Sequence, residues 1–476
     1  MYGLIEYILG LPFFVIKKLM SAEKRTIGFY SSFSLVVGSM LGVGIFLYPP
    51  IVAGHCSPLV YFLTWIFGGI IALAGAMACA ELSTMMPHAG GDYRFQREAL
   101  GPSVAFATGW VLFLGIFSGS IATMSVALFQ YQMPALLGQD LSVPILSYPW
   151  GGSLDLTDLG ACCTVVILSI VCKVGIRSSG RLQLLLTVVP IVFLFGFAAY
   201  ALGSQSPQPA IPSPPKDSIL GWVEAYLVVY FAYAGWNSII YIAGDIQKPS
   251  KNIPKALIGG TLFTTALYLL LCYTFVHVLG YAELAKSIEA GTAVASTFGQ
   301  PFFSVLMTAL IALAILASIN GTLMAGARTG YSMSRDGLFL NKKASQDHIL
   351  LLQCIWSILL ILTGRFESLT QLTSLAMLIT GSITVFIVFL LRKTRPHADR
   401  PYRSRAYPIM PLLYLLCNIA VLGYVFCSAV YKTRILLTDS NQELWSNWKD
   451  WYPLFGLFLF VLAFAIHYTF SKKKTI

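Results

Sequence analysis

Apolar stretches of about 20 residues, the length a helix needs to cross a bilayer, recur along almost the whole of this chain, and its charged residues fall mostly between them or near their ends. Of 476 residues, 57% are apolar and only 11% charged. A soluble fold could not cover so much apolar surface, whereas hydrocarbon accepts it without a polar shell. The expected fold class is an all-α polytopic membrane protein with about twelve transmembrane helices. Apolar runs read against charged punctuation place them near residues 28–52, 57–86, 99–134, 157–173, 179–202, 220–243, 256–280, 301–332, 347–364, 367–391, 407–431 and 452–470.

A formal charge of +11 would suit nucleic acid if the basic residues formed one patch, but they are spread through alternate loops. Lys17, Lys18, Lys24, Arg25, Arg94, Arg97, Lys173, Arg177, Arg181, Lys248, Lys251, Lys255, Arg328, Arg335, Lys342, Lys343 and the run from Arg392 to Arg405 share one side with Lys472 to Lys474. Only Lys216, Lys286, Arg365, Lys432, Arg434 and Lys449 fall on the other. This is the positive-inside pattern. It predicts both termini in the cytoplasm, a multi-pass location in the cytoplasmic (inner) membrane, and lipid rather than nucleic acid as the surrounding partner.

Before the first span, Tyr2 to Ile16 is apolar but short, and it lacks a signal peptide's basic start and cleavage site. It reads as an interfacial segment on the inner leaflet. The nine cysteines lie in or beside apolar runs, without metal or disulfide spacing. Packing is their expected role, and no metal or other cofactor is expected.

Two spans are interrupted at matching places, at Gly38-Ser39-Met40-Leu41-Gly42-Val43-Gly44-Ile45-Phe46 and at Phe231-Ala232-Tyr233-Ala234-Gly235-Trp236-Asn237. Freed backbone groups survive inside a membrane only where protein or a wet cavity satisfies them, so a matched pair of breaks points to a ligand site. Glycines let the first helix unwind; its second half then offers N–H groups to an anion while its first half ends in carbonyls that attract a cation. A free amino acid carries both charges at that spacing. Small residues at four-residue spacing also serve plain helix packing. Phe231 and Trp236 are large and flat beside the second break, and either side chain could close over a ligand or simply pack.

The breaks fall in the first and sixth spans, so an odd number of crossings separates them and the second half is expected to be inserted upside down. The chain then divides into an N-terminal segment (1–27), a first five-helix repeat (28–202), a proline-rich outer linker (203–219), a second, inverted five-helix repeat (220–392), and two further spans with a cytoplasmic tail (393–476). Those last spans suit peripheral packing or a dimer surface, which leaves monomer and homodimer both open.

These motifs resemble the amino acid-polyamine-organocation superfamily, and most closely its L-type amino acid transporter branch. Besides the two breaks, the resemblance is carried by Ala80 to Tyr93 (AELSTMMPHAGGDY), Gly244 to Pro254 (GDIQKPSKNIP) and Asn320 to Arg328 (NGTLMAGAR), and it runs from about residue 28 to 430. It implies a 5+5 inverted repeat with discontinuous helices one and six. It also implies that a substrate carboxylate meets N–H groups at Leu41, Gly42, Val43 and Gly44, with Ser39 nearby. The substrate amine would meet carbonyls around Val36, Val37, Phe231, Ala232 and Tyr233. Ala234, Gly235 and Asn237 would complete the pocket, Phe231 and Trp236 would gate it, and Glu81, Tyr93 and Arg328 would lie where an inner gate can pair charges.

Departures from the resemblance are as informative. Many relatives place a lysine in helix five where this chain has Pro190, so lysine-based coupling is not expected. Relatives with a glycoprotein heavy chain use a cysteine in the outer loop after span three, and Gln132 to Leu156 contains none; no disulfide-linked partner is expected, as suits a bacterial protein. No carboxylate stands out deep in a span: Glu224 and Asp245 fall at the two ends of span six. The expectation is therefore a transporter of neutral amino acids working by exchange or facilitated movement. A cationic amino acid or polyamine antiporter and an amino acid sensor are the alternatives. A membrane-embedded enzyme would need a nucleophile with its base, paired carboxylates or zinc-ligand spacing, and none is present.

Overall fold

The computed structural model describes residues 25–147, 153–203, 218–339, 344–363 and 366–438. The early N-terminal segment, most of the proline-rich linker and the twelfth expected span lie outside the described residues.

Helix α1 (Phe29–Met40) and α2 (Gly44–His55) are the two arms of one interrupted crossing. Helix α3 (Pro58–Met85) follows, then the short α4 (Gly91–Leu100). The rod α5 (Pro102–Leu137) contains wider π-turns at Val111–Phe117 and Leu128–Gln132. A two-stranded antiparallel hairpin, β1 (Pro144–Ser147) with β2 (Ser153–Asp155), caps that end of the molecule. Then come α6 (Leu156–Val174), α7 (Ile176–Gly203), α8 (Ile219–Ala232) and the single turn α9 (Ser238–Tyr241). Helix α10 (Pro249–Leu279) leads through the short α11 (Tyr281–Lys286) and α12 (Ala290–Ser296) to α13 (Pro301–Arg335), α14 (Gln346–Thr363), α15 (Phe366–Thr394) and α16 (Ile409–Thr438).

The helix starts follow ordinary chemistry. Pro58, Pro102, Pro249 and Pro301 each open a helix at its first turn, where a missing N–H costs nothing. Asp155 and Asp158 form a reciprocal capping box at the start of α6.

Nine helices among the described residues are long and apolar enough to cross a membrane, with α8 and α14 as shorter apolar helices. Their outer faces are what lipid requires. On α3, Leu59, Leu63, Ile66 and Ile70 follow helical spacing and are all exposed, and Ile167 and Ile170 on α6 and Leu412, Leu416 and Ile419 on α16 repeat the pattern. This is a polytopic membrane protein. The interrupted crossing Phe29–His55 is the most enclosed of the nine spans among the described residues, 94% buried, against 22% for Ile409–Ser428 at the periphery. The break therefore sits at the centre of the bundle, held by α3, α7, α8, α10 and α13.

The hairpin β1–β2 was not expected from the sequence, where this region reads only as an outer loop. Its residues pair because Thr157 N–H donates to the Leu141 carbonyl and the capped start of α6 fixes the chain's return.

Candidate functional site

In the first break, α1 ends at Met40 and α2 begins at Gly44, with Leu41, Gly42 and Val43 between. Val43 caps α2 with its carbonyl, which accepts from Phe46 and Leu47. The N–H groups of Gly44 and Ile45 stand in the first turn of α2, where a helix provides no internal partner. In the second break, α8 ends at Ala232 and a turn from Tyr233 to Asn237 leads into α9. Gly235 there has φ +100°, a conformation that side chains with a Cβ rarely adopt.

The two breaks touch. A Cβ on Gly235 would lie 2.5 Å from the Ser39 carbonyl oxygen, and one on Gly44 would lie 2.7 Å from the Ala232 Cα. Glycine at both positions lets one unwound backbone lie directly on the other. Between them opens a cavity with about 100 Å³ of space for the centre of a water-sized sphere. A single water needs only about 10–15 Å³ by that measure, so the space accepts a solute of several heavy atoms.

Most of the site residues expected from sequence reach this cavity: Ser39, Gly42, Val43, Gly44, Phe231, Ala232, Ala234, Gly235, Trp236 and Asn237 line it. Val36, Val37, Leu41 and Tyr233 are buried but do not. The Val37 carbonyl accepts from the Leu41 N–H, closing α1, and the Tyr233 hydroxyl turns away to donate to the Trp65 carbonyl at 3.0 Å. Two hydroxyls on the wall, Ser39 Oγ and Ser120 Oγ, are buried with no hydrogen-bond partner among the described residues. Facing the cavity, these two hydroxyls are placed to bond a ligand or water within it. Met40, Val43, Leu112, Ile116, Phe117 and Met377 make the rest of the wall largely apolar. Phe231 meets Tyr48 edge-on, with ring centroids 6.0 Å apart, while Trp236 packs over Gly75, where a Cβ would come within 2.6 Å of its ring.

Glu81, Tyr93 and Arg328 do not form one gate; each is committed to its own cluster. Glu81, 1% exposed, takes a two-pronged bond from Arg392 at 2.9 and 2.6 Å and the Ser404 N–H at 2.9 Å. Arg328 pairs with Asp245 at 2.6 Å. The Tyr93 hydroxyl donates to Asp336 at 2.8 Å, and Asp336 also holds Arg97. Charges that could equally stand on a solvated loop are thus paired, those at Glu81 and Arg328 in enclosed sites and those around Asp336 in a partly exposed one. The Asp245 carbonyl further accepts the N–H groups of Thr26 and Ile27, so the chain entering α1 lies against the chain leaving α9.

Three features went unforeseen. Tyr268 of α10 places its hydroxyl 2.6 Å from the Met40 carbonyl and 3.0 Å from the Ala232 carbonyl, a latch between the two breaks. A buried tyrosine in an apolar span must find an acceptor, but nothing in the sequence says which. Cys79, expected only to pack, is buried on the cavity wall. Asp92 also lines the cavity, although the sequence places it in an inner loop and no deep carboxylate was expected. Helix α4 tucks beneath the bundle and brings that carboxyl, 2% exposed, to the Tyr241 hydroxyl at 2.7 Å.

The profile of the family described as "Amino acid permease" matches residues 27–466, nearly the whole chain. The chain belongs to that family, within the amino acid-polyamine-organocation superfamily, and is a permease rather than an enzyme. It is 28% identical over 418 residues to the serine/threonine exchanger SteT of Bacillus subtilis (strain 168), covering 84% of this chain and 91% of that protein. It is 27% identical over 414 residues to the human large neutral amino acids transporter small subunit 2, covering 83% and 74%. The human b(0,+)-type amino acid transporter 1 is 25% identical over 429 residues, covering 85% and 84%.

Proposed function

We propose that this permease moves neutral L-amino acids across the cytoplasmic membrane by exchange or facilitated movement, using alternating access around the two breaks. The observation that carries this reading is the direct contact of both unwound segments around one cavity with an orphan Ser39 hydroxyl on its wall. In the proposed pose the substrate carboxylate meets Val43 and the first N–H groups of α2, with Ser39 Oγ, while the Gly42 N–H stays with the Met40 carbonyl and Gly42 gives room by lacking a side chain. The ammonium faces the carbonyl ends of α1 and α8, with Asn237 beside it. The apolar wall takes the side chain. Phe231 and Trp236 close over it, and the clusters around Glu81, Arg328 and Tyr93 hold the cytoplasmic side shut until the bundle rocks.

The inverted repeat, the helices beyond those described, and both termini in the cytoplasm belong to the same reading; their support is the odd number of crossings between the breaks and the charge asymmetry of the loops. The cysteine-free outer loop supports a chain that works without a disulfide-linked heavy chain, as monomer or homodimer. The names of the relatives favour neutral substrates, since they include a serine/threonine exchanger and a large neutral amino acid transporter. One observation favours a second reading, cationic substrates: the carboxyl of Asp92 on the cavity wall.

Counterflow into proteoliposomes with labelled leucine, alanine, serine and lysine separates the two. Exchange of the neutral amino acids is expected, and it should disappear in Gly42→Val, which fills the first break. Counterflow with lysine alone would sink the neutral reading; full counterflow in Gly42→Val would sink the site.

A further inference from the structure

The buried carboxyl of Asp92 ends a continuous chain of hydrogen bonds that starts on the substrate side of the cavity. The Asn237 amide nitrogen donates to the Tyr241 hydroxyl oxygen at 3.1 Å, and the Tyr241 hydroxyl donates to Asp92 Oδ2 at 2.7 Å. On the far side, Thr384 of α15 also bonds the carboxyl, while Gln96 donates to Thr384 at 3.1 Å and accepts from Thr108. Among the described residues no lysine, arginine or histidine makes an ion pair with Asp92.

The neighbours around it are neutral or committed elsewhere. Helix α9 presents Tyr241, α3 presents Cys79, and α8 carries Tyr230 nearby. On α4 itself Tyr93, Arg94 and Arg97 all turn to Asp336. Arg328 of α13 is held by Asp245, and Arg392 of α15 by Glu81. A carboxylate enclosed with hydroxyl donors and no cation keeps its charge at a cost. Helix α4 is not one of the membrane-crossing helices, and burial pushes this carboxyl from the ordinary 3.8 to about 6.

We propose that Asp92 is a proton-binding residue whose protonation state is relayed through Tyr241 to the cavity face of Asn237, so that amino acid binding is linked to proton release. The inference rests on the amino acid site proposed above. The relay works because each link has a direction. Ionised Asp92 accepts the hydrogen bond of the Tyr241 hydroxyl, the Tyr241 oxygen then accepts from the Asn237 amide, and Asn237 Oδ1 remains an acceptor for a substrate ammonium. Protonated Asp92 donates to Tyr241 instead, and the Asn237 amide turns over so that its Oδ1 accepts the tyrosine proton and its NH₂ donors face the cavity. An ammonium group binds the first arrangement and is repelled by the second. Substrate binding therefore favours loss of the Asp92 proton to water, and by linkage acid weakens substrate binding.

The test uses the full chain, reconstituted for labelled leucine, serine and lysine counterflow and solubilised for infrared pH titration. In the wild type, apparent affinity should fall about twofold at pH 6 and roughly tenfold one unit lower. The profile should be flat in Asp92→Asn, and flat also in Tyr241→Phe, which keeps the carboxyl but cuts the relay. The infrared band of a protonated carboxyl should titrate near pH 6 in the wild type, titrate at higher pH in Tyr241→Phe, which loses a hydrogen bond that holds the carboxyl lower, and vanish in Asp92→Asn. A flat wild-type profile, a wild-type profile retained by either variant, or the absence of that band would overturn the proposal. So would loss of lysine counterflow alone in Asp92→Asn, which would make Asp92 a cation subsite. If none of the three amino acids is exchanged at any pH, the substrate reading fails instead, and the infrared band still decides whether Asp92 is the proton site.

Discussion

The two breaks look alike in sequence but are built differently. The first interrupts its crossing for only three residues, Leu41 to Val43, and leaves twelve-residue helices on both sides. The second unwinds from Tyr233 to Asn237, recovers for the single turn α9, and passes through a 3₁₀ turn at Ala243–Asp245. A short break between long helices keeps strong, opposed helix ends and so suits recognition of a dipolar head group. A dissolved half-helix has little dipole to offer. What it has instead are side chains reaching outward: Tyr241 to Asp92, Asp245 to Arg328, and the Asp245 carbonyl to the chain entering α1. In the function proposed above, the first break would grip the substrate, while the second is tied to the charged clusters around Asp92 and Arg328.

Substitutions at the second break should test that division most severely. Gly235→Ala forces a side chain into φ +100° and drives a Cβ to 2.5 Å from the Ser39 backbone. Backbone strain alone is worth about 1–3 kcal/mol and the collision adds to it, so counterflow should be lost; retention of wild-type exchange would show that the breaks do not touch.

Arg328→Ala breaks a nearly buried ion pair, and losing one partner of such a pair costs roughly 3–5 kcal/mol. Thermal unfolding in detergent should drop sharply, and the double variant with Asp245→Asn should recover much of the loss. No recovery would argue against the pair.

Asp92 acts on stability in the opposite sense to a paired carboxylate. Its value is raised on folding, so its contribution is complete below about pH 4 and is lost as pH rises through about 6. Asp92→Asn should therefore gain on the wild type above pH 6, by up to about 3 kcal/mol, with the gap closing in acid. A gap that widens in acid would reverse the assignment.

Tyr268→Phe removes one hydroxyl that serves both breaks, at a cost of about 1–2 kcal/mol. Weaker substrate affinity with a near-normal melting temperature is expected, since the ring keeps its edge contact with Trp65. An unchanged affinity would make Tyr268 a packing residue only.

Much of this could be read along the chain because the signals are local. Apolar runs and loop charges mark a membrane protein, and glycine with polar residues inside such runs marks the breaks. Phe231, Trp236 and Asn237 stand out for the same reason, and all three line the cavity. The unforeseen parts are those in which distant segments meet. Glu81 finds Arg392 across 311 positions, whereas the family resemblance sets it with Tyr93 and Arg328. Nothing about Tyr268 distinguishes it from other tyrosines in apolar spans until α10 is packed against both breaks.

Asp92 shows the limit most clearly. Its neighbours Gly90, Gly91 and Tyr93 read as an inner loop, and by sequence position that is where it lies. Only the packing of α4 against α5, α9 and α15 turns it inward to the cavity. The sequence by itself determined the solvent this chain folds in, where its crossings are cut, and the family it joins, because hydropathy and backbone freedom are properties of neighbouring residues. Tertiary structure decided which charges pair, which hydroxyl latches the breaks and which carboxyl reaches the site, because a buried polar group is defined by its partner, and the partner comes from elsewhere in the chain.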